Sequence, residues 1–421
     1  RAKAPRGTDP PMRRLPAYPL SVGMSAVEGL AFTTVVTTSL VYQVETVGLN
    51  ALQLILVGTA VEAAAFAFEI PTGVVADVYS RRLSVVIGLA LTGIAFILEG
   101  AIPIFASILA AQVVWGLGIT FRSGATTAWL ADEIGARRLP HALMRGSQAS
   151  LVGGLVGAAL SVALSSLDRS LPLVVGGSMF VCLALFSALT MTEHGFQRLP
   201  AHERETFKTM GRTLLQALHV IRGRRVLILI VMVPFLFGAA SEVPDRLSTP
   251  FLLQTITMPR LGPLDPVAWF GLNNYVWLGL GLVLLEVVRR TVNTSNDRSV
   301  ARALLGLQAL HLGSLVAFGL AGGFPLAMAM LWARGPLRRA SGPLLSAWRN
   351  RFVPSRVRAT VLSFGGQMDA VGQMLGGPLL GALALGLSMR AGFVASAVVL
   401  LPVVIGFAVL GWPRRARATA A

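Results

Sequence analysis

Gly73-Val74-Val75-Ala76-Asp77-Val78-Tyr79-Ser80-Arg81-Arg82 is the stretch that decides the fold. It places one aspartate and two adjacent arginines between two apolar runs, residues 51–76 and 83–101. Each run is close to the ~20 residues that cross a bilayer core as a helix. A short basic turn between them reads as the loop joining the second and third spans of a polytopic membrane protein.

Composition agrees with that reading. Of 421 residues 54% are hydrophobic and only 13% charged, with a mean hydropathy of +0.69, whereas soluble domains carry about 25% charged residues. The 44 glycines suit a bundle whose helices approach closely. A net charge of +17 would suggest nucleic acid in a soluble chain, but its distribution argues otherwise. If the chain starts in the cytoplasm and crosses at every apolar run, Arg169, Arg246, Arg260 and Arg390 fall outside. Arg122, Arg334, Arg338 and Arg339 fall within spans, and the remaining Lys and Arg lie in or beside cytoplasmic segments. That asymmetry is the positive-inside pattern. It argues against a nucleic-acid partner and places both termini in the cytoplasm. Cys182, the only cysteine, rules out a disulfide within the chain and reads as a small packing residue. Residues 1–14 are basic and Pro-rich, and the long run after Pro19 is a permanent first helix rather than a signal-peptide core.

The sequence predicts an all-α membrane protein of twelve spans: 20–43, 51–76, 83–101, 105–130, 149–167, 172–192, 226–243, 268–288, 300–320, 324–346, 359–386 and 391–412. The tenth contains Arg334, Arg338 and Arg339, which makes it the least apolar. Three domains follow: a six-helix bundle over 1–192, a linker over 193–225 and a second six-helix bundle over 226–421. In the linker Phe207, Met210, Leu214, Leu218 and Ile221 recur at helical spacing, the pattern of an amphipathic helix on the cytoplasmic face.

An internal repeat supports this division. A shift of 219 residues lays Ala128-Trp129 on Ala347-Trp348, Arg137 on Arg356, Leu143 on Leu362, Gly146 on Gly365 and Gln148 on Gln367. The same shift lays Gly153 on Gly372, Gly157 on Gly376, Leu160 on Leu379 and Ala163-Leu164 on Ala382-Leu383. Apolar composition yields chance Leu, Ala and Gly matches, but not the Trp, Arg and Gln ones. With an even number of spans per half, the halves form a parallel repeat about an axis along the membrane normal, as in alternating-access carriers.

Several chemistries are excluded. The only lysines, Lys3 and Lys208, do not follow glycine, so a Gly-Lys-Ser/Thr phosphate loop and ATP use by that motif are ruled out. His202-Glu203 lacks the second histidine of a zinc-protease motif, and no nucleophile–base or metal constellation is apparent. No enzyme activity and no cofactor are expected.

Gly73, Ala76, Asp77, Arg81 and Arg82 match the loop motif of the major facilitator superfamily, departing from it at Val78 and Ser80. The stretches 68–88, 123–133, 241–247 and 358–381 resemble a narrower group, the proton-coupled drug-efflux carriers that include macrolide and tetracycline exporters. The resemblance covers nearly the whole chain. It implies the twelve-helix major facilitator fold and a secondary active transporter in a bacterial plasma membrane. Membrane lipid, a small-molecule substrate and protons are the partners implied, with export of amphipathic drug-like molecules as the leading reading. A metabolite symporter or facilitator, or a non-transporting sensor on the same fold, are the alternatives. Two related groups of drug antiporters carry Gly-Pro in the fifth span; here that span has none, and Gly377-Pro378 lies in the eleventh.

Charge inside a membrane marks function by default, because an Asp or Arg at mid-bilayer costs roughly 2.5–3.5 kcal/mol. Glu28, Glu62 and Asp369 lie nearest mid-span and are the proton-coupling candidates, with Glu28 and Arg122 as substrate-cavity candidates. A cationic solute could compete with a proton there, and a structural Glu–Arg pair is the plainer alternative. Glu69 sits about a turn above the loop. Glu242, Asp245 and Arg246, expected near the outer end of the seventh span, form an outer gate or local salt bridge. The Arg334, Arg338 and Arg339 group reads as ion-pairing scaffold, and His311 as a satisfied core residue. The loop residues Gly73, Asp77, Arg81, Arg82 and Asp132 are expected to form a cytoplasmic latch that holds the two halves together on the inside. In it Asp77 could accept from amides at the start of the eleventh helix, and Arg81 could pair with Asp132 as the superfamily's charge relay implies.

Overall fold

The computed structural model describes residues 15–196, 225–262, 264–353 and 358–411, so nearly all of the 193–225 linker lies outside the described residues. The described residues form fourteen helices and no strand. The first set is α1 (Ala17–Val36), α2 (Ser39–Glu45), α3 (Ala51–Val78), α4 (Arg81–Ala101), α5 (Phe105–Arg122), α6 (Ala125–Ile134), α7 (Leu139–Leu167) and α8 (Leu171–Thr190). After the linker come α9 (Arg225–Thr255), α10 (Ala268–Thr291), α11 (Asp297–Gly319), α12 (Phe324–Phe352), α13 (Arg358–Gly386) and α14 (Met389–Gly411). Two spans are interrupted helices, α1 with α2 and α5 with α6, so twelve segments of membrane length result. Among the described residues, 11 of them are also apolar enough to cross a bilayer. The twelfth is α12, whose arginines lower its hydropathy as its sequence foretold. Large apolar side chains such as Leu167, Leu379 and Val409 are about three-quarters exposed. In a chain this hydrophobic, that outer surface is made for lipid rather than water. Cys182 is exposed and lines an apolar groove of about 520 Å³ with Leu20, Met24 and Phe186, so it does not pack in a core.

Several boundaries differ from the sequence reading: α7 begins at Leu139 rather than at 149, α12 ends at Phe352 rather than at 346, and α9 and the loop before α4 also depart from it. The seventh span does not stop at 243: α9 runs 31 residues, through Pro234, Pro244 and Pro250. Proline is tolerated in membrane helices because neighbouring groups satisfy the backbone it frees, so it does not mark an end there. The Gly73–Arg82 loop is also shorter than expected. α3 continues to Val78, and Ser80 caps α4 by accepting a hydrogen bond from the Leu83 N–H at 2.9 Å. Gly73 is therefore helical and does not supply a turn conformation.

The contacts divide the chain into two units, residues 1–39 with 67–206, and residues 40–66 with 207–421. The N-terminal part of α3 thus belongs with the second unit, whereas the sequence placed all of 1–192 in one bundle. Inside the first unit α1 packs on α7 and α4 lies between α5 and α8. Inside the second, α9 packs on α13, and α11 lies between α12 and α14.

The sequence repeat has a physical counterpart within each unit. Gly153 on α7 faces the backbone of Ala26 and Leu30 on α1, and Gly372 on α13 faces that of Phe235 and Ala239 on α9. A Cβ at either position would collide with the facing carbonyl, so glycine is what permits the approach. The repeated tryptophans are both buried. Trp129 donates to the Thr192 carbonyl at 2.6 Å, and Trp348 packs edge-on against Phe407.

Candidate functional site

At the loop end of the first unit, the predicted latch residues join a wider polar network. Arg81 pairs with Asp132, donates to the Ala128 carbonyl at 3.4 Å, and stands 3.8 Å from Asp77. Arg82 donates to the Ala188 carbonyl through its side chain and to Glu193 through its backbone N–H at 3.0 Å. The Ser80 hydroxyl donates to the same Glu193 carboxylate at 2.6 Å. Glu193 therefore sits at the positive end of the α4 dipole, where an anion is favoured. Glu133 in turn accepts from the backbone N–H groups of His194 and Gly195. Arg81 and Asp132 belong to the same unit, so their bond fastens α4 to α6 rather than one half to the other. Glu193 and Glu133 escaped the sequence reading because nothing in spacing distinguishes a loop carboxylate that caps a helix from one that is merely solvated.

At mid-membrane the first unit holds a second charged group. Glu28 on α1 and Arg122 at the end of α5 form an ion pair, each side chain about one-fifth exposed. A carboxylate expected from sequence as both proton carrier and cavity residue is thus engaged by the arginine expected beside it in the cavity. Immediately after Arg122 the helix breaks: Gly124 adopts φ +71°, a left-handed conformation that suits glycine. Two side chains serve this break, with Thr126 donating to the Arg122 carbonyl at 3.3 Å and Ser123 donating to Glu69 at 3.2 Å. Ser123, Gly124 and Glu69 are exposed. Irregular backbone at membrane depth is tolerated only inside protein or beside a polar cavity, so this break faces polar space.

The second unit gathers three more acids from three helices. Glu62 on α3 is half-buried and lies within electrostatic range of Asp369 on α13 and Arg246 on α9. Glu242 on α9 is buried, 3.7 Å from Arg246, with one carboxylate oxygen lacking a hydrogen-bond partner. Gly58 on α3 and Gly377 on α13 leave room for it, since a Cβ at either would press on the Glu242 side chain. Asp369 accepts from Gln373 at 3.0 Å. Among the described residues Arg246 is the only guanidinium within ion-pair distance of any of these three acids. Glu242, Asp245 and Arg246 accordingly do not lie at the outer end of the span. The uninterrupted α9 places them in its middle.

Beside this group lies a cavity of about 280 Å³ lined by Asp245, Trp277, Arg334, Gly335, Arg338 and Arg339. Asp245 accepts from Arg338 at 2.7 Å and stands 3.7 Å from Arg334. Arg334 is buried and donates to the Pro244 carbonyl at 2.7 Å and to Ser248 at 3.3 Å. Arg334 and Arg338 are therefore ion-paired, in keeping with the scaffold expectation, but Arg339 has no ion-pair partner among the described residues. His311 is buried against the Arg334 backbone with its Nδ1 unpartnered, not the fully satisfied core residue expected. No metal-binding cluster of His, Cys, Asp or Glu occurs among the described residues.

Residues 22–336 match the family model described as Major Facilitator Superfamily. The chain belongs to the major facilitator superfamily. Members of this superfamily are transporters, and the chain is a multi-pass membrane protein of that kind. It is 24% identical over 364 residues to an uncharacterized MFS-type transporter, YxaM, of Bacillus subtilis (strain 168), covering 84% of this chain and 86% of that protein. Among solved structures, a mutant of the nucleoside transporter NupG superposes with a TM-score of 0.74 at 13% identity, over 94% of this chain and 99% of that one. A bacterial homolog of the human lysosomal transporter Spinster, inward-facing and unoccupied, gives 0.71 at 14% identity, over 96% and 98%. At such identities the two structures establish the fold of this superfamily member and leave its cargo to its own residues.

Proposed function

We propose that this superfamily member is a proton-coupled secondary transporter of amphipathic, drug-like small molecules, working by alternating access in a bacterial plasma membrane with both termini cytoplasmic. The observation that supports this most directly is the gathering of Glu62, Glu242 and Asp369 from three helices of one unit, with Arg246 at ion-pair distance from Glu242 and no arginine that close to the other two among the described residues. A carboxyl group in an apolar medium is cheapest to carry neutral unless a cation stands against it, and a proton is what makes it neutral. Three acids of which only Glu242 has an arginine at ion-pair distance therefore give the protein a place to take up a proton and release it. Glu28 has its own arginine and is less free to do so. Export is the direction favoured by the stretches resembling drug-efflux carriers.

The test uses purified protein in liposomes with an imposed pH gradient, a panel of anionic, neutral and cationic fluorescent solutes, and a pH reporter inside. Gradient-driven solute movement with opposite proton flow is expected for the intact protein. In Glu62→Gln and Asp369→Asn, solute exchange without a gradient should persist while gradient-driven accumulation is lost. Unchanged pH dependence in both variants removes this acid group from the mechanism. Proton and solute moving in the same direction replaces export with symport. No movement of any solute under either polarity sinks the transport reading and favours a sensor.

A further inference from the structure

The arginine-lined cavity of the second unit holds more positive charge than the protein around it neutralises. Asp245 is the only acid in its lining, against Arg334, Arg338 and Arg339. That carboxylate is already divided between Arg338 and Arg334. Arg334 is buried and hydrogen-bonded to the Pro244 carbonyl and Ser248, whereas Arg338 and Arg339 are exposed near the middle of the 29-residue α12. Arg339 lies across α10 at Gly281, where a Cβ would stand 3.4 Å from its Cδ, and it has no hydrogen-bond or ion-pair partner among the described residues. A free guanidinium at membrane depth is expensive. It persists where water or an anionic ligand meets it.

The opposite wall is aromatic and fixed. Trp277 donates its indole N–H to the Leu331 carbonyl at 2.9 Å. Its ring lies flat on α12 at Gly335, where any Cβ would meet the indole at 2.6 Å. The ring is also 6.0 Å from the Arg334 guanidinium. The space of about 280 Å³ falls just below the range of sites that enclose a whole drug-sized ligand, ~300–1,000 Å³, so it suits one end of such a molecule. Guanidinium groups bind carboxylates and other oxyanions through paired N–H donors.

We infer that this cavity is an anion-recognition subsite, seating the carboxylate or sulfonate end of an aromatic organic solute, with Arg339 and Arg338 donating to the anion and Trp277 against the ring. Arg338 also feels the carboxylates of Asp369 and Glu242, so Arg339 carries the larger share of the recognition. The inference rests on the proposed transport of amphipathic solutes and names their charge. It narrows the cargo to anions, against the cationic solutes that acids alone would suggest.

The test is equilibrium binding to the full chain in phosphatidylcholine nanodiscs, read by tryptophan fluorescence. The probes are 1-naphthoate, 1-naphthalenemethanol and 1-naphthylmethylamine, which share a ring and differ in charge. Naphthoate is expected to bind at least tenfold more tightly than the alcohol, with the amine weakest. Arg339→Gln, with an unchanged melting temperature, should remove that preference, and Arg339→Lys should restore part of it. Equal binding of the three probes, no binding of naphthoate, or an unaltered preference in a folded Arg339→Gln protein overturns the inference. A lipid phosphate offers the same chemistry, so the titration is repeated with phosphatidylglycerol in the disc. Equal naphthoate affinity in both lipids supports a solute site. Competition by phosphatidylglycerol that disappears in Arg339→Gln makes the cavity a lipid seat and overturns the solute assignment. Proton-coupled transport of cations alone would sink the anion subsite and leave the proposed function standing. Naphthoate binding without transport of any solute would do the reverse.

Discussion

Removing either partner of the Glu28–Arg122 pair should destabilise the first unit more than removing both. Breaking a fully buried ion pair from one side costs about 3–5 kcal/mol, because the surviving charge is left without compensation. Here each side chain keeps about one-fifth of its exposure, so some water or a neighbouring dipole softens the loss. Bilayer-insertion scales give roughly 2.5–3.5 kcal/mol for a lone charge at mid-span. Together these put Glu28→Gln and Arg122→Gln each at about 2–3 kcal/mol of lost stability. In the double variant no charge remains and two amides can hydrogen-bond, so the net loss should shrink to about 1 kcal/mol. The assay is reversible unfolding in mixed micelles of dodecyl maltoside and sodium dodecyl sulfate, followed by far-ultraviolet circular dichroism, for wild type, both single variants and the double variant. Losses that simply add in the double variant, or single variants that match wild type, would refute the argument that the two groups compensate each other at membrane depth.

Gly153→Ala and Gly372→Ala should each cost about 1–3 kcal/mol in the same assay, because the new Cβ meets a neighbouring backbone, while Gly23→Ala, with open space at its Cβ, should be neutral or slightly stabilising. Glu193→Ala removes the acceptor for the Ser80 hydroxyl and the Arg82 N–H at the start of α4, and should cost about 1–2 kcal/mol, measured as a lower midpoint of unfolding. Asp168, in the turn between α7 and α8, is held below its ordinary value of 3.8 by the hydroxyl and N–H of Ser170. A carboxyl whose folded pKa is depressed contributes stability above its unfolded pKa and loses it as pH falls through the folded one. Melting temperatures of wild type and Asp168→Ala should therefore differ at neutral pH and converge below pH 3.8, and a gap that persists in acid would show that the turn works by packing.

The fold was legible because membrane helices announce themselves by length and apolarity, and nine of the twelve spans begin and end within about four residues of expectation, while the fifth begins earlier, at Leu139, and the seventh and tenth end later, at Thr255 and Phe352. The largest departure, α9, ran on because proline carries a different meaning in lipid than in water. The α12 helix, the weakest by hydropathy, gains support from the 219-residue shift, which lays Ala128-Trp129 of the fourth span on its Ala347-Trp348. The charged groups were legible as individuals and not as partners. Glu28 and Arg122 are 94 positions apart, and Arg334 reaches the Pro244 carbonyl over 90; spacing along one helix says nothing about which residue of another helix stands opposite. Trp277 and Gly335 were missed for the same reason, since a tryptophan in an apolar span looks like packing until the missing Cβ beneath it is seen. Glu242 was named, but its position changed from helix end to helix middle once the prolines were passed.

The two glycine seams also separate what the two units share from what they do not. In each unit a glycine of the fifth span meets the first span at matching positions, Gly153 with Ala26 and Leu30, Gly372 with Phe235 and Ala239. Each unit also joins an acid on its first span to arginine on its fourth, Glu28 to Arg122 and Asp245 to Arg334 and Arg338. Measured from the glycine contact, however, the second acid has moved on by about two helical turns. The backbone approach that glycine permits is therefore common to both units, whereas the electrostatic clasp stands at a different height in each, since any pair of facing positions on two helices can hold opposite charges.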